Sequence, residues 1–140
     1  MPQFSQKSIV ELGTCHDDLQ ALMYEVVKDI DCTVLEGKRT EAQQVENVAK
    51  GVSKTLDSKH VYPLASPSLA VDIAPFPLRW PDRGSSTYML DLARFYYFGG
   101  YVKSVAKRMG FKIRWGGDWD GDNMFIDQTF HDLPHFEIIT

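Results

Sequence analysis

The sequence has little cysteine and no strong excess of charge of either sign. Cys15 and Cys32 are the two cysteines among 140 residues, too few for a disulfide scaffold, and they form no CxxC pair. The 15 Lys and Arg residues against 19 Asp and Glu residues give a net charge of -4. This charge argues against a general nucleic-acid-binding protein, which needs a basic face to neutralise phosphates.

Long hydrophobic runs are also missing. No stretch approaches the roughly 20 apolar residues of a membrane span, and the first residues lack the basic and apolar regions of a secretory signal. We therefore expect no signal peptide, no membrane anchor and folding in a reducing cytoplasm, where both cysteines remain free thiols.

What is present is the composition of one globular domain. Hydrophobic residues make up 44% of the chain and charged residues 24%, values typical of folded rather than disordered proteins. No internal repeat, low-complexity tract or flexible linker divides the chain. We predict that residues 1–140 form a single domain.

Two helices are predicted in the first half of the chain. The motif Thr14-x-x-Asp17 resembles a capping box, and the apolar residues behind it follow helical spacing over 16–30. A second box, Thr40-x-x-Gln43, precedes a predicted helix over 41–50. Residues 51–68 are predicted to form a loop.

A long helix and four short strands complete the prediction. The helix is expected from Ser85 or Ser86 to Met109, with a kink or break at Gly99-Gly100. The predicted strands are 32–36, 69–74, 111–115 and 135–139. These elements predict an α+β fold with a small, mainly antiparallel sheet and flanking helices.

Three residues stand out as candidate metal ligands. Asp72 lies among apolar residues in LAVDIAP, where a carboxylate needs a partner or a metal unless the strand is an exposed edge. His60 precedes that strand and His135 opens the last one, although a single histidine at either place is more often a surface or structural residue. Together they supply two imidazoles and one carboxylate, a set suited to catalytic zinc with a fourth position left for water.

A general base is also available. Asp132 lies three residues before His135, close enough to activate water without binding the metal. The sequence contains no HExxH motif, which excludes the common zincin helix.

The segments SKH…AVD, WGGDWDGD and DLPHFEI resemble the zinc D-alanyl-D-alanine carboxypeptidase family. That family includes the VanY and VanX types and the phage L-alanyl-D-glutamate endolysins. Its signature is S-x-H, then A-x-D, then an acidic residue three positions before a second His. The N-terminal half, from FSQKSIVEL to TVLEGKRTEAQQ, is similar to the endolysin branch, so the resemblance covers nearly the whole chain.

The resemblance implies a hedgehog/D-Ala-D-Ala-peptidase-like fold and a role for each matching residue. His60, Asp72 and His135 would bind zinc, and Asp132 would act as the base and later as the proton donor. Arg39 would stabilise the developing oxyanion, the alternative being a solvated residue at a helix start. Ser58 of the S-x-H motif, Trp115 and His131 are candidate substrate-binding residues. Trp115 and Trp119 could line the substrate cleft, and packing in the core is an equal alternative for both. The alternative for His131 is an exposed residue with no role in binding.

One feature departs from the family pattern. The commonest family spacing is H-x6-D, whereas 11 residues separate His60 from Asp72 here. A loop insertion explains the difference, because insertions in surface loops change stability little. We expect the insertion to affect the shape of the substrate site more than metal binding.

The acidic segment after Trp115 is a candidate calcium site. Asp118, Asp120 and Asp122 alternate, with Gly121 between the last two, as at the start of a calcium loop, but the full EF-hand length and its Glu are missing. The alternative is a solvated turn.

The resemblance to the endolysin branch implies a zinc-dependent endolysin that hydrolyses the L-Ala–D-Glu bond of peptidoglycan. It is expected to act as a monomer, without a separate wall-binding domain, and to wait in the host cytoplasm until the membrane is permeabilised. The alternatives are a D,D-carboxypeptidase or dipeptidase acting on D-Ala-D-Ala, and a non-catalytic module that zinc stabilises.

Overall fold

A computed structural model of the chain describes residues 2–39, 43, 46, 49–50, 60, 66–125 and 131–139. Within them, helices and strands occupy separate parts of the chain, as predicted. The elements are α1 (Gln6–Leu12), α2 (Asp17–Val27), β1 (Cys32–Glu36), β2 (Ala70–Pro75), α3 (Tyr88–Met109), β3 (Ile113–Trp115) and β4 (His135–Ile138). The predicted α+β class is confirmed.

The strands form one four-stranded sheet in the order β1-β2-β4-β3, and every neighbouring pair is antiparallel. In the β2–β4 pair, Asp72 lies directly opposite His135. A register shift near the end of β1 places Glu36 opposite Asp72 as well. The sheet therefore brings three polar side chains from distant parts of the sequence to one place.

The hydrophobic core lies between this sheet and the helices. The apolar face of α2 is buried as its spacing predicts, with Leu19, Leu22, Met23 and Val26 each 0% exposed. The helix α3 packs against both α2 and the sheet. This packing gives β2 and β4 a rigid support beneath the polar residues that they carry.

The predicted capping box at Thr14 is wrong. The cap of α2 is His16, whose side chain accepts a hydrogen bond from the backbone N–H of Asp18. The Thr14 hydroxyl instead donates to the carbonyl of Glu11 and accepts from the N–H of Lys38. The Thr14 hydroxyl, predicted to cap α2, is thus used instead in a tertiary contact with Lys38, just after β1.

The helix α1 was not predicted. It begins at the cap Ser5, whose hydroxyl accepts from the N–H of Ser8. The Ser8 hydroxyl also accepts from the N–H of Val34 in β1, at 3.0 Å. A seven-residue helix is too short to be stable by itself, so its stability comes from this packing against β1.

The start predicted for the third helix is also wrong. α3 begins at Tyr88 with Thr87 as its cap, because Ser85 is held in the preceding turn, where its hydroxyl accepts from the N–H of Thr87. The helix continues through Gly99-Gly100 without a break. A Cβ on Gly99 would lie 2.2 Å from the Trp115 ring, so glycine there permits close packing.

The predicted helix over 41–50 and the predicted loop over 51–68 lie largely outside the described residues. Gln43, Glu46 and Ala49 have helical backbone. No helix in the described part of the chain is both long enough and apolar enough to cross a lipid bilayer.

Both cysteines are free, as predicted, and both are buried. Burial raises the pKa of the Cys15 thiol and of the Cys32 thiol to about 12. Neither thiol is therefore a nucleophile at neutral pH.

Candidate metal centre

His60, Asp72 and His135 converge on one point. The Nε2 atom of His60 lies 3.1 Å from Oδ1 of Asp72 and 3.3 Å from Nδ1 of His135. The third side of the triangle, from His135 Nδ1 to Asp72 Oδ1, measures 3.3 Å. The three predicted ligands thus present one donor atom each to a common centre.

The sheet and one loop contact explain this convergence. Antiparallel pairing of β2 with β4 places Asp72 opposite His135, so both side chains project from the same face of the sheet. His60 reaches them from the connection between β1 and β2, where its carbonyl accepts a hydrogen bond from the N–H of Arg39 at 2.8 Å. Its side chain is 2% exposed.

The donor atoms fit a zinc ion. Tetrahedral zinc binds nitrogen and oxygen at about 2.0–2.2 Å, which places neighbouring ligand atoms about 3.3 Å apart. The three measured separations of 3.1, 3.3 and 3.3 Å match this value. A set of two imidazoles and one carboxylate also favours zinc over magnesium or calcium, which prefer oxygen ligands.

Hydrogen bonds on the far side of each imidazole select the tautomer that a metal needs. The Nδ1 atom of His60 lies 2.7 Å from the carbonyl oxygen of Gly37, so Nδ1 carries the proton and donates it. The Nε2 atom of His135 likewise donates to Oε1 of Glu137 at 2.8 Å. The nitrogens that face the centre are therefore the ones that can offer a lone pair to a metal once any proton on them has been displaced.

Glu137 is a site residue that the sequence reasoning did not identify as functional. The residue is only 7% exposed, and Arg114 lies 3.5 Å away as an ionic partner. The available signal was the strand period, which places His135 and Glu137 on one face of β4. A carboxylate behind a metal-binding histidine orients the ring and increases its basicity.

Asp132 lies beside the centre but is not one of the three residues whose donor atoms converge there. Its Oδ2 atom is 3.9 Å from Nδ1 of His135. The N–H of His135 donates to the carbonyl of Asp132 at 3.1 Å, so the three-residue spacing is that of a β-turn. This turn holds the carboxylate near the ligands while leaving it outside the set of three.

Gly116 holds the backbone of this turn. It accepts a hydrogen bond from the N–H of Asp132 at 2.9 Å and donates one to the carbonyl of His135 at 2.8 Å. A Cβ at this position would lie 2.1 Å from the Asp132 carbonyl oxygen. Only glycine allows the two backbone segments to approach so closely.

The electrostatics of the cluster depend on burial and on the two imidazoles. Burial opposes the charge of Asp72, but its interactions with His135 and His60 outweigh burial and hold the pKa of Asp72 well below its usual range. Burial also opposes the charge of His135, yet hydrogen bonds to Asp72 and Glu137 raise its pKa to about 9. A metal must therefore displace a proton from His135, so binding is coupled to proton release.

Unlike the pKa of Asp72, the pKa of Asp132 is raised. Burial raises it, and the neighbouring charge of Asp72 raises it further. A carboxylate with a raised pKa is a stronger base than an ordinary Asp, as a proton acceptor in catalysis needs to be.

Arg39 is buried beside these acidic groups and is not a solvated residue. Its side chain forms two hydrogen bonds with Glu36, from Nε at 2.8 Å and from Nη2 at 2.6 Å. Hydrogen bonding to Glu36 raises the pKa of Arg39, and the charges of Asp72 and Asp132 add to this shift. Glu36 thus orients the guanidinium close to the centre.

A cleft of about 670 Å³ opens beside the cluster. Asp72 and Asp132 both line it, and so do Trp80, Arg83 and Tyr88. A cavity of this size can hold several residues of a peptide next to the three candidate metal ligands.

Comparisons with known proteins identify the family. Residues 1–139 match the family described as phage L-alanyl-D-glutamate peptidase. The chain is 27% identical over 148 residues to the L-alanyl-D-glutamate peptidase of Escherichia phage T5, and the match covers 98% of each chain. The chain belongs to the phage L-alanyl-D-glutamate peptidase family.

The structural comparison agrees with this assignment. The fold matches the crystal structure of the L-Ala D-Glu endopeptidase ChiX from Serratia marcescens with a TM-score of 0.70 and 26% identity. The match covers 99% of this chain and 91% of the ChiX chain. The family resemblance and the prediction of a peptidase are confirmed.

The predicted substrate-binding residues of the peptidase lie in different environments. His131 lines the cleft next to Asp132, and Trp119 packs against His135 with ring centroids 5.5 Å apart. Trp115 is 1% exposed and stacks on Phe136, so it packs in the core and does not line the cleft. Ser58 lies outside the described residues.

The acidic loop after β3 is not a simple solvated turn. Asp118 is 1% exposed, and its Oδ2 atom accepts hydrogen bonds from Nζ of Lys103 at 3.0 Å and from the N–H of Asn123 at 2.8 Å. Donor atoms of Asp118, Asp120 and Asp122 lie within 4.8 Å of one another. The loop is therefore built around one buried carboxylate with two exposed ones beside it.

Proposed function

We propose that this peptidase uses zinc to hydrolyse the L-Ala–D-Glu bond of peptidoglycan stem peptides and thereby lyses the bacterial wall. The observation that carries the proposal is the convergence of His60, Asp72 and His135 at tetrahedral spacing with Asp132 beside them. The phage T5 relative, an L-alanyl-D-glutamate peptidase, and ChiX, an L-Ala D-Glu endopeptidase, support the choice of bond.

The proposed chemistry is acid–base catalysis next to a Lewis acid. A zinc ion held by the three ligands would polarise the peptide carbonyl and make water a stronger nucleophile. Asp132 would accept the proton of the attacking water and pass it to the leaving amine. Its raised pKa suits both transfers.

Arg39 is proposed to stabilise charge on the carbonyl oxygen. A buried guanidinium held in place by Glu36 needs little reorganisation as negative charge develops.

The cellular route is part of the proposal. We propose that the peptidase acts as a monomer and reaches the wall from the host cytoplasm once the membrane is permeabilised. Membership of a phage family supports this route.

The product of a digest tests the function. Purified muropeptides treated with the zinc-loaded peptidase are expected to yield a new free amine on D-Glu, identified by mass spectrometry. An Asp132→Asn preparation treated in the same way is the control for contaminating hydrolases. Release of free D-Ala without a new D-Glu amine would show a D,D-carboxypeptidase instead.

We propose that the acidic loop binds calcium. The Oδ1 atom of Asp118 is buried and has no hydrogen-bond partner among the described residues, and an unpaired buried carboxylate oxygen is costly unless a cation satisfies it. Calcium is then expected to raise the melting temperature saturably, and the double variant Asp120→Asn, Asp122→Asn should lose this response. A melting temperature that stays constant across a calcium and EGTA titration would contradict the proposal.

A further inference from the structure

The cleft beside the metal centre contains a cation that has no partner in the described part of the chain. Arg83 is exposed, and its guanidinium forms no ion pair or hydrogen bond with the other residues that the structure describes. Other basic side chains near the site are paired: Arg39 with Glu36, and Arg114 with Glu137. Arg83 is also the only Lys or Arg among the described residues that line this cleft.

The acidic neighbour of Arg83 does not neutralise it. The Oδ1 atom of Asp82 accepts a hydrogen bond from the N–H of Gly84 at 2.9 Å, and its carbonyl accepts from the N–H of Ser85 at 2.9 Å. Asp82 is thus engaged in the turn that presents Arg83. The charge of Arg83 remains directed to the solvent and to the cleft.

The segment that carries Arg83 is anchored on both sides. Before it, Nε of Arg79 lies 3.1 Å from Oδ1 of Asp91 in α3. After it, the hydroxyl of Thr87 donates to Oδ2 of Asp91 at 2.8 Å. A side chain on a held turn loses less entropy when it captures a ligand than one on a loose loop.

The acidic residues of the cleft already have proposed roles in the reaction. Asp72 and Asp132 line it as a metal ligand and as the proposed base. A ligand of Arg83 must therefore be an anion supplied by the substrate, since a guanidinium binds carboxylates through paired hydrogen bonds.

The substrate has such an anion next to the cleavage point. In a stem peptide, D-Glu is joined to the next residue through its side-chain carboxyl, which leaves its α-carboxylate free. That carboxylate is separated from the scissile nitrogen only by the α-carbon. A scissile bond at the metal centre therefore places this carboxylate beside Asp72 and Asp132, which line the same cleft as Arg83.

We propose that Arg83 binds the free α-carboxylate of D-Glu and makes the peptidase prefer stems in which this group is not amidated. The proposal rests on the proposed function. Arg83 acts in it as a specificity residue, through binding of the substrate and not through the chemical step.

Four matched substrates test the proposal. They carry D-Glu or its α-amide at the second position, combined with Lys or diaminopimelate at the third. The wild-type peptidase is expected to favour the free α-carboxylate by about tenfold in kcat/KM, as one charge-assisted hydrogen-bonded pair predicts, mainly through a lower KM.

Arg83→Gln is expected to reduce this ratio to about one, and Arg83→Lys to restore part of it. Arg108→Gln, the same change in the last turn of α3, should keep the wild-type ratio and controls for net charge. Equal melting temperatures of the variants would show that the fold is unchanged.

Three results would overturn the assignment. The first is a wild-type ratio retained by Arg83→Gln, and the second is a preference that follows the third residue, which would place another carboxylate on Arg83. The third is cleavage at a bond other than L-Ala–D-Glu by the wild-type peptidase, which would refute the proposed function as well. Cleavage at L-Ala–D-Glu with no effect of Arg83 refutes only the assignment of Arg83.

Discussion

Replacing Asp132 with Asn is expected to lower kcat for stem-peptide hydrolysis by about 10²- to 10⁴-fold, the contribution of a positioned general base. Asn has nearly the same shape as Asp but does not accept a proton from water. The loss should appear in kcat, because the amide still fits the turn that Gly116 holds through the N–H of residue 132.

The variant should keep its metal. Asp132 stands 3.9 Å from His135 Nδ1 and is not one of the three atoms at the centre of the triangle. Zinc content after dialysis, measured by elemental analysis, is therefore expected to equal that of the wild type. This result separates a lost base from a lost ligand.

A matched control for Asp132→Asn is available on α2. Asp18→Asn removes the same charge from an exposed position on α2, where the side chain is 50% accessible, and should leave kcat unchanged. Wall lysis at the wild-type rate by zinc-loaded Asp132→Asn would exclude Asp132 as the base and favour a different proton acceptor.

Replacing Asp72 with Asn is expected to weaken zinc binding by about a thousandfold or more. The substitution removes the only anionic ligand of the three, and a structural site of four ligands typically contributes about 10–16 kcal/mol in all. Activity should then be lost because the metal is absent. A competition titration against a chromophoric chelator measures the affinity directly.

The same substitution also changes the protein without zinc, because Asp72 hydrogen-bonds to both His60 and His135. The test therefore compares the rise in melting temperature that zinc causes in each protein, not the melting temperatures themselves. We expect a large rise for the wild type and almost none for Asp72→Asn.

Zinc removal provides the matching reversible experiment. Wild-type peptidase treated with a chelator should lose activity and regain it when zinc is added back, whereas Asp72→Asn should not recover at stoichiometric zinc. Zinc bound by Asp72→Asn with wild-type affinity would show that the carboxylate is not a ligand.

Local signals predicted a good part of the fold. The apolar spacing behind residue 16 predicted α2 and its buried face, and Gly110, with a φ of 81°, ends α3 as expected. Helical spacing and terminal glycines act over a few residues, so the sequence displays them directly. The cap of α2 and the start of α3 were predicted wrongly because tertiary contacts use the hydroxyls of Thr14 and Ser85.

Residue chemistry and the family resemblance together predicted the candidate centre. Asp72 was conspicuous because a charge inside an apolar strand needs a partner, and the resemblance added Arg39. The orienting groups Glu137 and the Gly37 carbonyl were not predicted. Their roles depend on distances of 2.8 and 2.7 Å across the fold, which no spacing in the chain specifies.

The sequence by itself thus determined which donor groups the protein has, which of its segments are helical or extended, and which family it resembles. Only the tertiary structure decided that His60 meets His135, 75 residues away, that Glu36 holds Arg39, and that Arg83 shares a cleft with Asp132. The physical reason is that side-chain periodicity is a local property of the backbone. Strand register and loop closure instead depend on how the whole core packs.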